Sequence, residues 1–418
     1  MFVLTKLRIV DHNDKENINV SFYENHIKKV ISNNFISLVI GENGVGKSFL
    51  LKSLVEIFVY LEKTKLFQRK PKYQYKKFNL EYYLNDDFYS INRNSGSELY
   101  CQKNYYSIEY KDLLLPSRVL AVSFMVNDKF IFSKNEENNI YRYLGVRTST
   151  NSTYTSSIAR NITFNLVNAV NSGLFNQIKD MLSLLKFDAY LEFETTENNK
   201  KKTEIIDFEL SDEPPHLNKK IKIERGQMPA VFFKKDNDRI TFDLCSSGEK
   251  HILFAFSGIL SQIQDNSLIL IDEPEISLHP EWQIQYVSTL DKLFSRYKNC
   301  LFIIASHSHY FVSDLKPDYS SIIAFRKNGK DSSSELIPYN TYAWSAENII
   351  YNVFGIRTTR NYYFESDLNE LLHLMENFSK KEEEKTKIAN LLNKLRRYSL
   401  NDADPLLKVI EQAEGMIQ

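Results

Sequence analysis

An α/β protein built on a buried parallel sheet is the fold this sequence predicts, and three stretches carry that prediction. Residues 41–48 read Gly-Glu-Asn-Gly-Val-Gly-Lys-Ser, a full G-x-x-x-x-G-K-[ST] loop, with the apolar run Phe35 to Ile40 before it and helical spacing from Phe49 to Leu61 after it. Leu268 to Ile271 is a second continuous apolar run, as a strand buried on both faces should be, and it ends in Asp272-Glu273-Pro274-Glu275. Leu301 to Ala305 is a third, ending in Ser306-His307-Ser308-His309. Strand, glycine-rich turn and helix in that order make the first stretch a site for phosphate groups.

The other elements follow in chain order. Phe2 to Val10 and Ile18 to Phe22 predict strands ahead of the phosphate loop, and residues 1–62 form a first lobe. Residues 63–235 are an insertion with no heptads sustained over three or four repeats, so a compact α/β lobe is expected and no coiled-coil arm. Within it Phe78 to Asn92 alternates as a hairpin, and Val119 to Phe124 reads as a strand. Asn161 to Tyr190 has helical period, with Phe164, Val167, Val170, Ile178, Leu182 and Leu185 on one face. Phe187 to Leu210 returns to strand text around Asn198-Asn199-Lys200. The second lobe, 236–335, contains Cys245-Ser246-Ser247-Gly248-Glu249-Lys250 opening a helix from His251 to Gln264.

Residues 336–418 read as a helical tail, with amphipathic segments at Ala343 to Gly355, Leu368 to Phe378, Lys385 to Tyr398 and Leu406 to Met416. Trp344, Ile349, Ile350, Val353 and Phe354 make one stripe expected to pack on the core. The apolar faces of Leu391 to Ile417 remain after the core should be closed, so they are expected to dock another protein. Asp402-Ala403-Asp404 reads as a helix cap before Pro405, and no room follows for a nuclease sheet domain.

The motifs imply a chemistry. Backbone N–H groups of Asn43, Gly44, Val45 and Gly46, with Phe49 opening the helix, would cradle the phosphates of a nucleoside triphosphate, ATP. Lys47 would reach the β- and γ-phosphates and share in catalysis, and Ser48 would take a place on Mg²⁺. Asp272, ending a strand beside that loop, would hold the same Mg²⁺. Glu273 would take a proton from the attacking water, and His307 would reach the γ-phosphate side. Ser246 and Gly248 stand at a second bare helix start suited to phosphate. An acidic pair, a lone histidine and a Ser-Ser-Gly-Glu cap are each ordinary structural features alone. Their order after one phosphate loop decides for the site.

On these residues the chain resembles the ABC-type ATPase heads of the SMC, RecF and OLD group. The resemblance rests on the phosphate loop, on Ser-Ser-Gly-Glu, on Ile-Asp-Glu-Pro-Glu-Ile-Ser-Leu-His-Pro (271–280) and on Ala-Ser-His-Ser (305–308). It implies a P-loop NTPase fold whose signature includes Ser246 and Gly248, whose D-loop is Ile276 to His279 and whose switch histidine is His307. It also implies a head-to-tail dimer, in which the signature of one copy closes over the nucleotide of the other. Cys245 stands where the family usually has leucine, and no Gln follows Val119 to Phe124 where a Q-loop residue belongs. The armless insertion and helical tail look most like the PtuA-type ATPases of Septu-like antiphage systems and of retrons, which pair with a separate nuclease.

Composition sets bounds. The chain has 418 residues, 43% hydrophobic and 25% charged, with zero formal net charge, so no global pull toward nucleic acid or membrane arises. Cys101, Cys245 and Cys300 are an odd set without C-x-x-C spacing, which fits a reducing cytosol. No leader pattern or run of ~18 to 20 apolar residues is present, and a cytoplasmic protein is expected. Two basic stretches interrupt the neutrality: Lys63 to Lys77, with Phe67, Tyr73 and Tyr75, and Lys219, Lys220, Lys222 and Arg225. They could grip nucleic acid or be solvated loops. Asn139 to Arg160 is a candidate subunit contact or ligand-sensing loop. Alternative functions stay open at this point: a RecF-like repair ATPase that binds DNA directly, a transporter's ATP-binding subunit, or an ATP-binding switch with little turnover.

Overall fold

The computed structural model describes residues 2–24, 34–67, 77–94, 99–133, 139–147, 155–197, 200–207, 221, 223, 229–329, 331–338, 341–355, 360–378, 381–398, 404 and 406–417. Strands β1 (Phe2–Val10) and β2 (Glu16–Ser21) form a hairpin, and β3 (Phe35–Gly41) leads through the phosphate loop into α1 (Lys47–Phe67). A meander follows of β4 (Lys77–Leu84), β5 (Asp87–Arg93), β6 (Leu99–Lys103) and β7 (Tyr106–Ile108). Then come β8 (Val119–Ser123), β9 (Tyr141–Gly145), α2 (Thr155–Asn171) and α3 (Phe175–Leu184). Next are β10 (Tyr190–Glu197), β11 (Lys200–Asp207), β12 (Ala230–Lys235) and β13 (Asp238–Thr241), then α4 (Ser247–Gln262) and β14 (Leu268–Asp272). The order continues with α5 (Pro280–Leu293), β15 (Leu301–Ser306), α6 (Tyr310–Ser313), β16 (Ser320–Asn328), β17 (Asp331–Leu336) and α7 (Ala346–Asn352). Three helices end it: α8 (Tyr362–Glu376), α9 (Glu382–Leu395) and α10 (Leu406–Ile417).

Among the described residues these strands make three sheets. The central one runs β17-β16-β3-β15-β14-β8-β9, parallel except for the edge strand β17. Its inner strands β8, β14 and β15 are buried at every residue, which is why they read as unbroken apolar runs. The register sets Asp272 beside both Ala305 and Ser123, and Ser306 beside Ile40. The loops that leave β3, β8, β14 and β15 therefore emerge together at the carboxyl ends of their strands, where open α/β sheets bind ligands.

Helix α1 fills the space between this sheet and an antiparallel one, β2-β1-β4-β5-β6-β7. Phe58 and Tyr60 meet Tyr82 and Phe78 there, with ring centroids 6.1 and 6.2 Å apart. Helix α4 is buried along most of its length and meets β8, β9 and α2. The third sheet, β11-β10-β12-β13, feeds the start of α4.

Three expectations are corrected. Residues 63–235 are not one inserted lobe: β4 to β7 complete the first sheet, β8 and β9 belong to the central sheet, and β10 to β13 form the third. The helical stretch after Asn161 is broken at Gly173, whose φ of +72° ends α2. The chain divides into Met1–Ile349 and Ile350–Gln418. In the second unit Phe364, Leu371, Ile388, Leu392, Leu395, Ile410 and Ala413 close a core of their own among α8, α9 and α10. The apolar faces of 391–417 are thus used inside that bundle, which removes the reason for expecting them to dock a partner. Asp404 accepts from Leu406 N at 3.0 Å, as a cap does, and takes both of its carboxylate oxygens to Arg360 at 2.9 Å. Of the basic stretches, 68–76, 219, 220, 222 and 225 lie outside the described residues, as do 148–154 of the Ser/Thr-rich segment. Among the described residues no helix is long and apolar enough to cross a membrane.

Candidate functional site

The site begins with a turn that only glycine makes easily. Gly46 has φ +111°, a region closed to side chains with a Cβ, and the next residue starts α1. Lys47 then turns back over the loop. Its Nζ donates to Gly41 O at 2.9 Å, to Glu42 O at 3.0 Å and to His307 Nε2 at 2.7 Å. Burial lowers the Lys47 pKa to about 8, against the opposing pull of Glu273, Glu275 and Asp272. The Ser48 hydroxyl donates to Asp272 Oδ1 at 3.0 Å.

Asp272 ends β14 almost wholly buried, and burial pushes its carboxyl up to about 7. A hydroxyl and a carboxylate in contact suit a divalent cation with oxygen ligands, which would displace that proton. Among the described residues no cluster of three or more His, Cys, Asp or Glu could hold a metal unaided.

Glu273 sits in the left-handed region at φ +48° and donates its N–H to Ala305 O at 2.9 Å. Its Oε1 lies 3.6 Å from His307 Nε2. The His307 pKa is lowered by burial and by Lys47, so the ring is neutral at pH 7 and accepts from Lys47. Its backbone N–H is held by the Glu275 carboxylate. These groups line a cavity of about 520 Å³ together with Gly44, Gly46, Phe49 and Lys52. The loop after β8 supplies Met125, Asn127, Asp128 and Lys129 to the same cavity.

The structure therefore brings together Gly44, Gly46, Lys47, Ser48, Phe49, Asp272, Glu273 and His307. Asn43 is exposed at the tip of the loop, and Val45 is buried in the core behind it. Ser246 and Gly248 do not line the cavity of their own chain. Ser246 is exposed and caps α4: its Oγ accepts from Glu249 N at 3.3 Å, and Glu249 Oε2 accepts from Ser246 N at 2.7 Å. Gly248 is pressed beneath the D-loop, where an added Cβ would lie 2.8 Å from Ser277 O and 2.5 Å from the Trp282 ring. The D-loop is held again by His251, whose Nδ1 donates to Ile276 O at 2.7 Å, and by Gln283 Nε2, which donates to Leu278 O at 3.0 Å. Cys245 is buried, and burial raises its thiol to about 12, an inert packing group.

Sequence reasoning missed residues 125–129. The Q-loop motif asks for a glutamine after β8, whereas the general signal is positional. A loop leaving the carboxyl end of the strand beside β14 must open on the same cavity.

Residues 159–313 match the family described as "AAA domain, putative AbiEii toxin, Type IV TA system". The chain is 24% identical over 201 residues to the Septu protein PtuA of Bacillus thuringiensis, covering 43% of this chain and 47% of that one. It is 22% identical over 377 residues to the Septu protein PtuA of Bacillus mycoides (strain KBAB4), covering 86% of this chain and 46% of that one. It is 32% identical over 99 residues to the "Retron Ec83 probable ATPase" of Escherichia coli, covering 21% of this chain and 18% of that one. The chain thus spans less than half the length of these relatives.

Proposed function

We propose that this chain is an ATPase of the SMC/RecF/OLD group, that it binds and hydrolyses ATP, and that it regulates a separate effector, a nuclease, in antiphage defence. The observation that carries the chemistry is the convergence of Lys47, Ser48, Asp272, Glu273 and His307, from three parallel strand ends, on one cavity. Lys47 holds the β- and γ-phosphates, and Ser48 and Asp272 hold Mg²⁺, which neutralises phosphate charge. The Glu273 carboxylate takes a proton from water as the water oxygen bonds to the γ-phosphorus and the bond to the β-phosphate oxygen breaks, giving ADP and phosphate. Neutral His307, fixed by Lys47 and by its backbone bond to Glu275, orients the γ-phosphate end.

Exposure of Ser246 on its own chain, away from the chain's own cavity, supports a head-to-tail pair in which each signature serves the other copy. The regulatory role and the nuclease partner rest on the likeness to PtuA and retron ATPases. Glu273→Gln should lower phosphate release on the order of 10² to 10⁴-fold while leaving binding of a non-hydrolysable ATP analogue intact. Lys47→Ala should lose both. Wild-type turnover in Glu273→Gln would remove that residue from the role.

A further inference from the structure

The segment Tyr141 to Arg147 belongs to no motif, yet three of its side chains seize the loop that walls the nucleotide cavity. Asp128 lies on that loop with its side chain wholly buried. Its carboxylate accepts from Phe130 N at 2.9 Å, Tyr143 OH at 2.7 Å, Arg147 Nε at 3.1 Å and Arg147 Nη2 at 2.7 Å. Arg147 Nη2 also donates to Phe130 O at 2.6 Å, and Tyr141 OH donates to Ile131 O at 2.6 Å. The guanidinium sits over the Tyr143 ring, 5.1 Å from its centroid. A buried ion pair is worth keeping only when its members are this fully satisfied, and its return is a single fixed geometry.

What that geometry fixes is the residue next to Asp128. Lys129 is exposed to the cavity that Lys47, Asp272, Glu273 and His307 also line. Arg147 cancels the charge of Asp128, so the loop presents a net positive charge to whatever occupies the cavity. We infer that Lys129 is a second phosphate-binding cation of this site, acting on the terminal phosphate, and that the Asp128–Arg147 pair is its positioning device. The inference rests on the nucleotide reading of the cavity. Because the terminal phosphate is the group a triphosphate has and a diphosphate lacks, a cation acting on it favours a triphosphate over a diphosphate.

The test is calorimetric titration of the full chain with Mg²⁺ and either AMP-PNP or ADP. Lys129→Gln should weaken AMP-PNP binding about 10 to 100-fold, the usual range for a charged hydrogen bond, and change ADP binding by less than about threefold. Lys129→Arg should restore most of the loss. Arg147→Gln should reproduce the Lys129→Gln pattern, and the double variant should bind no more weakly than the weaker single one, since Arg147 acts through Lys129. Unchanged AMP-PNP binding in Lys129→Gln, an equal loss for ADP, or multiplicative losses in the double variant would overturn the inference. Lys129 is exposed, so its variants decide the matter even if Arg147→Gln fails to fold. A wild type that binds neither nucleotide would instead sink the nucleotide reading itself, and this one with it.

Discussion

His251 touches three segments with one ring. It lies on α4, donates to the D-loop carbonyl of Ile276, and stacks on Phe124 with centroids 4.7 Å apart and planes at 9°. Burial holds its pKa down at about 4, against an ordinary value near 6.5. The unfolded chain thus binds a proton that the folded chain refuses, and stability falls as pH drops from about 6.5 toward 4. At pH 5 this one group should remove about 2 kcal/mol. Urea unfolding of the wild type at pH 7 and pH 5 should show the loss, and His251→Asn should flatten the slope. An equal slope in both proteins would mean that other groups set the acid sensitivity.

At the level of elements, the start of α4 and the D-loop form one rigid corner. Gly248→Ala would drive a methyl into the Ser277 carbonyl and the Trp282 ring, and overpacking of that kind costs about 1 to 3 kcal/mol. Nucleotide binding to the chain's own phosphate loop should survive, whereas turnover should fall, as parallel binding and phosphate-release assays would reveal. The elements that carry this corner were legible because β14 and β15 are buried on both faces and α1 follows its loop directly. Strand β9 was not. Its text, Tyr-Arg-Tyr-Leu-Gly, looks like a surface loop, yet all five residues are buried, and Arg142 turns its guanidinium to Asn139 O and Tyr141 O. The spread of residues 63–235 over three sheets was equally invisible, since a strand's own letters do not name its partner. The bundle of α8 to α10 shows the same limit: amphipathic faces announce burial without saying against what.

For the whole molecule, sites shared between copies have a distinctive genetics. Lys47→Ala removes a phosphate loop and Ser246→Arg removes a signature, so neither protein alone should hydrolyse ATP. Mixed, they form pairs in which one site retains both halves, and partial activity should return to the mixture. Silence from a mixture whose mixed pairs are demonstrated by differently tagged copies would count against shared sites.

Strand β3, which ends in the phosphate loop, lies between β15 and β16, and Cys300 N donates to Asn34 Oδ1 across 266 positions of chain. During synthesis both edges of β3 therefore wait for partners that the ribosome makes much later. At about 5 to 20 residues per second that wait is on the order of 10 to 50 s. Through it the apolar flanks of α1 and β3 are open to wrong pairings, which makes the nascent chain a natural client of chaperones. Nor can nucleotide shelter it, because Asp272 and His307 arrive late as well. Chains arrested on the ribosome at residue 280 should be digested equally fast with and without Mg²⁺-ATP, and only those released at full length should gain protection from the nucleotide.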